Sequence, residues 1–132
     1  MVAAGVIEAL QLAYESARGR LDGVTFEQFV EAVAGFEVHP AHARGRLCGA
    51  VLVRGKEMHV EVLPWARGQW FNRQHAALIS RVIETHGEAT TTATTEEGRR
   101  FVERLGFIND NGIYRSTKKW ASIRSSKQPR QS

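Results

Sequence analysis

The sequence predicts an α/β (α+β) fold: a mixed central β-sheet flanked by helices, in a single domain. Three observations predict it. The chain has 132 residues and is 42% hydrophobic, which suits one domain with one continuous core. Its apolar residues recur at helical spacing near the N-terminus, and at strand and helical spacing in alternation afterwards. No repeat and no internal linker interrupts the pattern.

Val6, Ala9, Leu10, Ala13, Tyr14 and Ala17 recur at helical spacing and predict a first helix, which the two glycines of "RGRLDG" break. Thr25 is a good N-cap for a second helix, and Gln28 completes a capping box. Phe26, Phe29, Val30 and Val33 form its apolar stripe, and Gly35 ends it. "EVHPAHAR" reads as a loop, because Pro40 disfavours a helix there. "RLCGAVLVR" and "GKEMHVEVL" read as a hairpin around an Arg-Gly turn. In its second strand Met58, Val60 and Val62 face one way, and His59, Glu61 and Leu63 the other. From Phe71 a long helix carries the stripe Ala76, Leu78, Ile79, Val82 and Ile83, with Gly87 as its C-cap. "EATTTATT" is rich in β-branched residues and predicts a strand, its threonines expressing β preference. "EEGRRFVERLG" predicts a short helix with Phe101, Val102 and Leu105 inward. "FIND" and "GIYRST" flank Asn-Gly, a strong hairpin signal. The expected order is α, α, β, β, α, β, α, β, β. Residues 1–23 are expected to form an N-terminal helical segment, 24–118 the body, and 119–132 a basic flexible tail.

Charge is unevenly placed. The formal net charge is +4, yet residues 115–132 hold six basic residues (Arg115, Lys118, Lys119, Arg124, Lys127 and Arg130) and no acid, so residues 1–114 carry −2. Such a tail can touch nucleic acid through charge, or stay solvated. Trp120 within it could stack a base or anchor the tail to the body. No apolar run is long enough to span a bilayer, and the N-terminus lacks the basic start of a signal peptide. Cys48 is the only cysteine, which fits a reducing compartment, rules out a cysteine-rich zinc site, and reads as a small buried hydrophobe. His39 and His42 flank Pro40 but lack a third metal-ligating partner in sequence. There is no G-x-S-x-G, no P-loop and no H-E-x-x-H.

Two segments carry a family resemblance. Phe101, Glu103–Arg104 and Leu105-Gly106-Phe107, followed by the "FIND-NG-IYRSTK" hairpin, resemble the C-terminal end of the GNAT superfamily of N-acetyltransferases. Upstream, "EMHVEVLP" runs into the Arg-Gly turn of "PWARGQWFNR" and then a long helix, where that family holds the pyrophosphate of acetyl-CoA on backbone amides. The resemblance covers roughly residues 24–118. Its nearest likeness is to short phage-encoded GNAT-like proteins, some of them virion components.

The resemblance implies an acetyl-CoA-dependent transfer of an acetyl group to an amine. Cofactor contacts would fall on Val62, Leu63, Arg67, Gly68, Gln69, Trp70, Phe71 and Arg73. The physics of the stretch agrees in part. A helix start exposes unpaired N–H groups and the positive end of the helix dipole, Arg67 and Arg73 add charge, and Gly68 lets a ligand approach the backbone. The chemistry needs a base for the ammonium, donors for the oxyanion and an acid for the leaving thiolate. Glu61 is the candidate base, with Glu57 and His59 behind it. A strand amide near Val62 or Leu63 would serve the thioester oxygen. The family's leaving-group tyrosine is replaced by Val102, leaving Tyr114 as a substitute. Against the family's Gln/Arg-x-x-Gly-x-Gly/Ala, Trp65 holds the leading position and Trp70 the second small one. A family asparagine would fall near Thr94 or Thr95.

Two functions are therefore expected. One is an N-acyltransferase in the cytoplasm of a bacterial host. The other is a chain that keeps the fold without the chemistry, as a structural or binding component of a bacteriophage virion. A nucleic-acid binder acting through residues 115–132 is a third. A strand ordinarily found ahead of the first helix could come from a partner chain.

Overall fold

The computed structural model describes residues 4–117. Among them, four α-helices and six strands alternate as α1 (Ala4–Ala17), α2 (Phe26–Ala32), β1 (Glu37–Ala43), β2 (Arg46–Arg54), β3 (Glu57–Val62), α3 (Arg73–His86), β4 (Ala89–Thr91), α4 (Glu96–Arg104), β5 (Ile108–Asp110) and β6 (Ile113–Ser116). Short 3-10 turns occupy Arg18–Arg20 and Pro64–Ala66. The architecture is mixed α+β, and the strands hydrogen-bond in the order β1-β2-β3-β4-β6-β5. None of the described helices is long and apolar enough to cross a membrane. The described residues divide into two compact units, 4–54 with 58–71, and 55–57 with 72–117.

In the first unit, α1 and α2 cover one face of the β1–β2 hairpin. Ala9, Leu10, Ala13, Phe29, Ala50 and Leu52 form its buried cluster. Thr25 caps α2 as expected: its hydroxyl accepts from the Gln28 amide while the Gln28 side chain accepts from the Thr25 amide. This reciprocal cap contributes about 1 kcal/mol. The helix stops at Ala32, before the expected Gly35.

The reading of residues 37–43 as a loop is corrected: they form β1, antiparallel to β2. β1 stands at the sheet margin, where a proline's missing N–H costs no ladder bond. Pro40 thus excludes a helix without excluding a strand. The β1–β2 register passes from Ala41↔Gly49 to His42↔Leu47, so Cys48 is a bulged residue. Its thiol is fully buried and donates to the Ala41 carbonyl, and burial raises its pKa.

In the second unit, α3 starts at Arg73 rather than Phe71, because Asn72 is the N-cap and accepts from the His75 amide. Its expected stripe is buried throughout, and Gly87 closes it at φ 87°. The threonine-rich strand is shorter than expected. Only Ala89–Thr91 is β4, while Thr95 caps α4 by accepting from the Gly98 amide. A threonine hydroxyl in front of Glu96 and Glu97 favours a helix start more than its β-branching favours a strand. β4 meets β3 in parallel at Glu57↔Thr90, and β6 pairs antiparallel with β4 and β5. Asn111 and Gly112 take positive φ (55° and 90°) in the tight turn between β5 and β6. Residues 118–132, including Trp120 and most of the basic tail, lie outside the described residues.

Candidate functional site

Within the first unit the candidate residues come from the end of β3 and the stretch that follows. The β2 bulge helps set their position. The Cys48 carbonyl, at the bulge, accepts the Leu63 amide at 2.9 Å, so this predicted thioester donor already has a partner. Gly49 lies so near β3 that a Cβ there would stand 2.0 Å from the Glu61 carbonyl oxygen. The Val62 carbonyl accepts from the Ser16 hydroxyl at 2.8 Å. The strand end is thereby tied to β2 on one side and to α1 on the other.

Glu61 is held by Arg20, a residue that sequence reasoning missed. One terminal guanidinium nitrogen donates to both carboxylate oxygens at 2.8 Å. Burial raises the Glu61 pKa; the Arg20 charge and hydrogen bond oppose it, as do the charges of His59 and Arg67. Burial wins, so Glu61 takes a proton more readily than an ordinary carboxylate. A raised pKa suits a base, but a substrate's proton would have to compete with the Arg20 hydrogen bonds at both oxygens. Of the runners-up, His59 is half-buried with its ring 5.8 Å from that of Phe36, and Glu57 opens β3 opposite Thr90.

The stretch Pro64–Phe71 turns its polar backbone largely on itself. The amides of Ala66, Arg67 and Gln69 donate to the carbonyls of Leu63, Pro64 and Ala66. The Gln69 side chain donates to the Trp65 carbonyl. Arg67 is exposed, and the exposed Gly68 has φ 82° with open space where a Cβ would stand. Trp70 is 5% exposed, and Phe71 meets it edge-on at 5.6 Å. The Trp70 indole is therefore part of the packing. Trp65 is half-buried, with the Arg46 guanidinium 4.5 Å above its ring.

The remaining candidates belong to the second unit. Arg73 is exposed on the first turn of α3, and the Asn72 cap uses the His75 amide of that turn. Tyr114 is 3% exposed on β6, and Val102 is half-buried on α4. The Leu105-Gly106-Phe107 segment is a Schellman helix stop. Phe107 N–H reaches the Val102 carbonyl, Gly106 N–H reaches the Glu103 carbonyl, and Gly106 has φ 97°.

The second unit also holds an ion network that the sequence did not suggest. Glu88 accepts from Lys56 at 2.6 Å and from Arg115 at 2.8 Å, and Arg115 donates to Asp110 at 2.9 Å. It borders an open depression of about 330 Å³ that Ile108 and Ser116 also line. The hydrogen bond from Lys56, with the charges of Arg115 and Lys56 and the Arg115 hydrogen bond, lowers the Glu88 pKa against some desolvation. His39 meets Glu37 at 3.0 Å, and the described residues contain no cluster of three or more metal-ligating side chains. No protein-family model matches the chain, and no curated protein is significantly similar to it.

Proposed function

We propose that this chain is a GNAT-like domain that serves as a binding or structural protein rather than as an acyltransferase. One observation carries the reading: both oxygens of Glu61, the best-placed base, are engaged by Arg20 at 2.8 Å. The other groups acyl transfer would need point the same way. The Leu63 amide is spent on Cys48, the Ala66, Arg67 and Gln69 amides of the anion stretch are spent on neighbouring carbonyls, and Tyr114 is buried. The GNAT likeness is supported by β3 leading through the Gly68 turn into α3, and by the helix stop followed by a terminal hairpin. An assembly such as a bacteriophage particle is the setting the resemblance suggests.

Calorimetric titration with acetyl-CoA, paired with an assay for coenzyme A release in the presence of small amines, tests this. The expected result is no heat at millimolar ligand and no thiol released. Binding of about −8 kcal/mol, that is micromolar affinity, together with turnover would overturn it.

That outcome would favour the second reading, an N-acyltransferase using acetyl-CoA with Glu61 as base. The open space at Gly68 and the raised Glu61 pKa favour it. It requires Arg20 to release Glu61 when substrate enters.

A further inference from the structure

One end of the first unit gathers arginines around an aromatic ring. The two-residue turn between β1 and β2 is Arg44-Gly45, and Arg46 opens β2 opposite Ala43. The Leu63 amide bonds the Cys48 carbonyl, and two residues from each of these Arg46, at the start of β2, meets Trp65 in the 3-10 turn after β3; the guanidinium sits 4.5 Å from the ring centroid. Arg67 is exposed two residues beyond Trp65. The carboxylate whose charge Arg67 also feels, Glu61, is hydrogen-bonded to Arg20. Among the described residues, neither Arg44 nor Arg46 lies within ion-pair distance of a carboxylate.

Arg44 is also in an unfavourable backbone conformation. It has φ 54°, a left-handed geometry that costs a residue with a Cβ about 1 kcal/mol and suits asparagine or glycine better. The equivalent turn between β5 and β6 uses Asn111-Gly112 at almost the same angles. Local turn preference therefore does not account for an arginine at position 44, whereas display of a cation at the tip of the hairpin does.

From this arrangement we infer that Arg44, Arg46, Trp65 and Arg67 form a docking surface for single-stranded nucleic acid. Arg44 and Arg67 neutralise backbone phosphates. The Arg46 guanidinium, supported on Trp65, offers a planar cation on which a base stacks. A peptide of aspartate and glutamate alone would meet the same charge but has no flat ring to place on Arg46. The surface is separate from the basic tail. It names a partner for the binding role proposed above and rests on that role, yet it fails separately: acetyl transfer would sink the role, whereas loss of oligonucleotide binding sinks only this inference.

The experiment is fluorescence anisotropy of a labelled oligothymidylate of about 12 nucleotides with the full 132-residue chain, across salt concentrations. Two phosphate contacts predict a log–log salt slope of about −1.4, which is a roughly seven-fold loss of affinity from about 50 to 200 mM. Arg44→Asn suits the turn, so the urea midpoint should hold or rise, while affinity falls about threefold and the slope flattens by about 0.7. Arg46→Lys keeps the charge and loses the plane, so affinity should fall about tenfold with the slope unchanged. Arg100→Gln, on α4, should bind as the parent does. The inference is overturned if the parent chain does not bind at low salt, or if Arg44→Asn and Arg46→Lys both bind as the parent does. It is also overturned if polyglutamate of equal charge displaces the oligonucleotide as well as unlabelled oligothymidylate does.

Discussion

Glu61 and Glu88 each accept from an arginine nitrogen at 2.8 Å, yet their pKa values move in opposite directions. Their side chains are about equally exposed, at 22% and 24%. The difference lies in what surrounds them. Glu61 has one hydrogen-bonded cation, and the surrounding protein withdraws more hydration than Arg20 restores. Glu88 has two, Lys56 and Arg115, and their combined field exceeds the desolvation. An arginine at hydrogen-bond distance therefore does not by itself say which charge state a carboxylate prefers.

The largest expected effect comes from moving the strand that places Glu61. Gly49→Ala puts a methyl 2.0 Å from the Glu61 carbonyl and 2.8 Å from the Val62 Cα, both of them backbone. Urea unfolding should show a loss of about 3 kcal/mol. A loss below about 1 kcal/mol would mean that β2 and β3 separate easily and that Glu61 is not held as described.

Removing one partner comes next. Arg20→Ala leaves Glu61 covered and unpaired, and should cost about 1.5 kcal/mol at neutral pH. The cost should shrink on acidification as Glu61 protonates. A cost independent of pH would assign Arg20 a packing role and dissolve the comparison with Glu88.

The pH dependence of stability separates the two carboxylates more finely. The folded-state pKa of Glu61 is raised above its ordinary 4.5, so between those values the native state holds a proton that the unfolded chain has lost. Its contribution to stability is complete below 4.5 and is lost as pH rises through the raised value. Glu88 has the opposite sign: its contribution is present above 4.5 and is lost as pH falls through the lowered value. Glu61→Gln should remove the first slope and Glu88→Gln the second, read from urea midpoints between acid and neutral pH. Slopes of the same sign would contradict the comparison. The smallest effect is Lys56→Met. It should raise the Glu88 pKa in an NMR titration while leaving the urea midpoint within error, because the pair is exposed.

Local grammar was legible in the sequence. Thr25 with Gln28, Gly87, and Asn111-Gly112 act where their chemistry placed them, since caps and tight turns depend on residues a few positions apart. The Leu-Gly-Phe segment that carried the family resemblance is one more such signal. Its glycine and its two backbone bonds stop α4, and it contains no catalytic group. Asn72 was also readable as a cap in front of Arg73, and taking Phe71 as the helix start missed it. Thr95 could equally have been read as a cap, but the threonine run in front of it favoured a strand.

By itself the sequence determined the kinds of most elements and most of their limits, because these depend on side-chain type and short-range spacing. Tertiary structure alone decided what the candidate residues do. Pro40 lies in a strand because that strand sits at the sheet margin. Arg20 reaches Glu61 across 41 positions because α1 ends beside the close of β3. Leu63 gives its amide to Cys48 because β2 bulges there. Each is a contact between distant parts of the chain, and no local preference encodes such a contact.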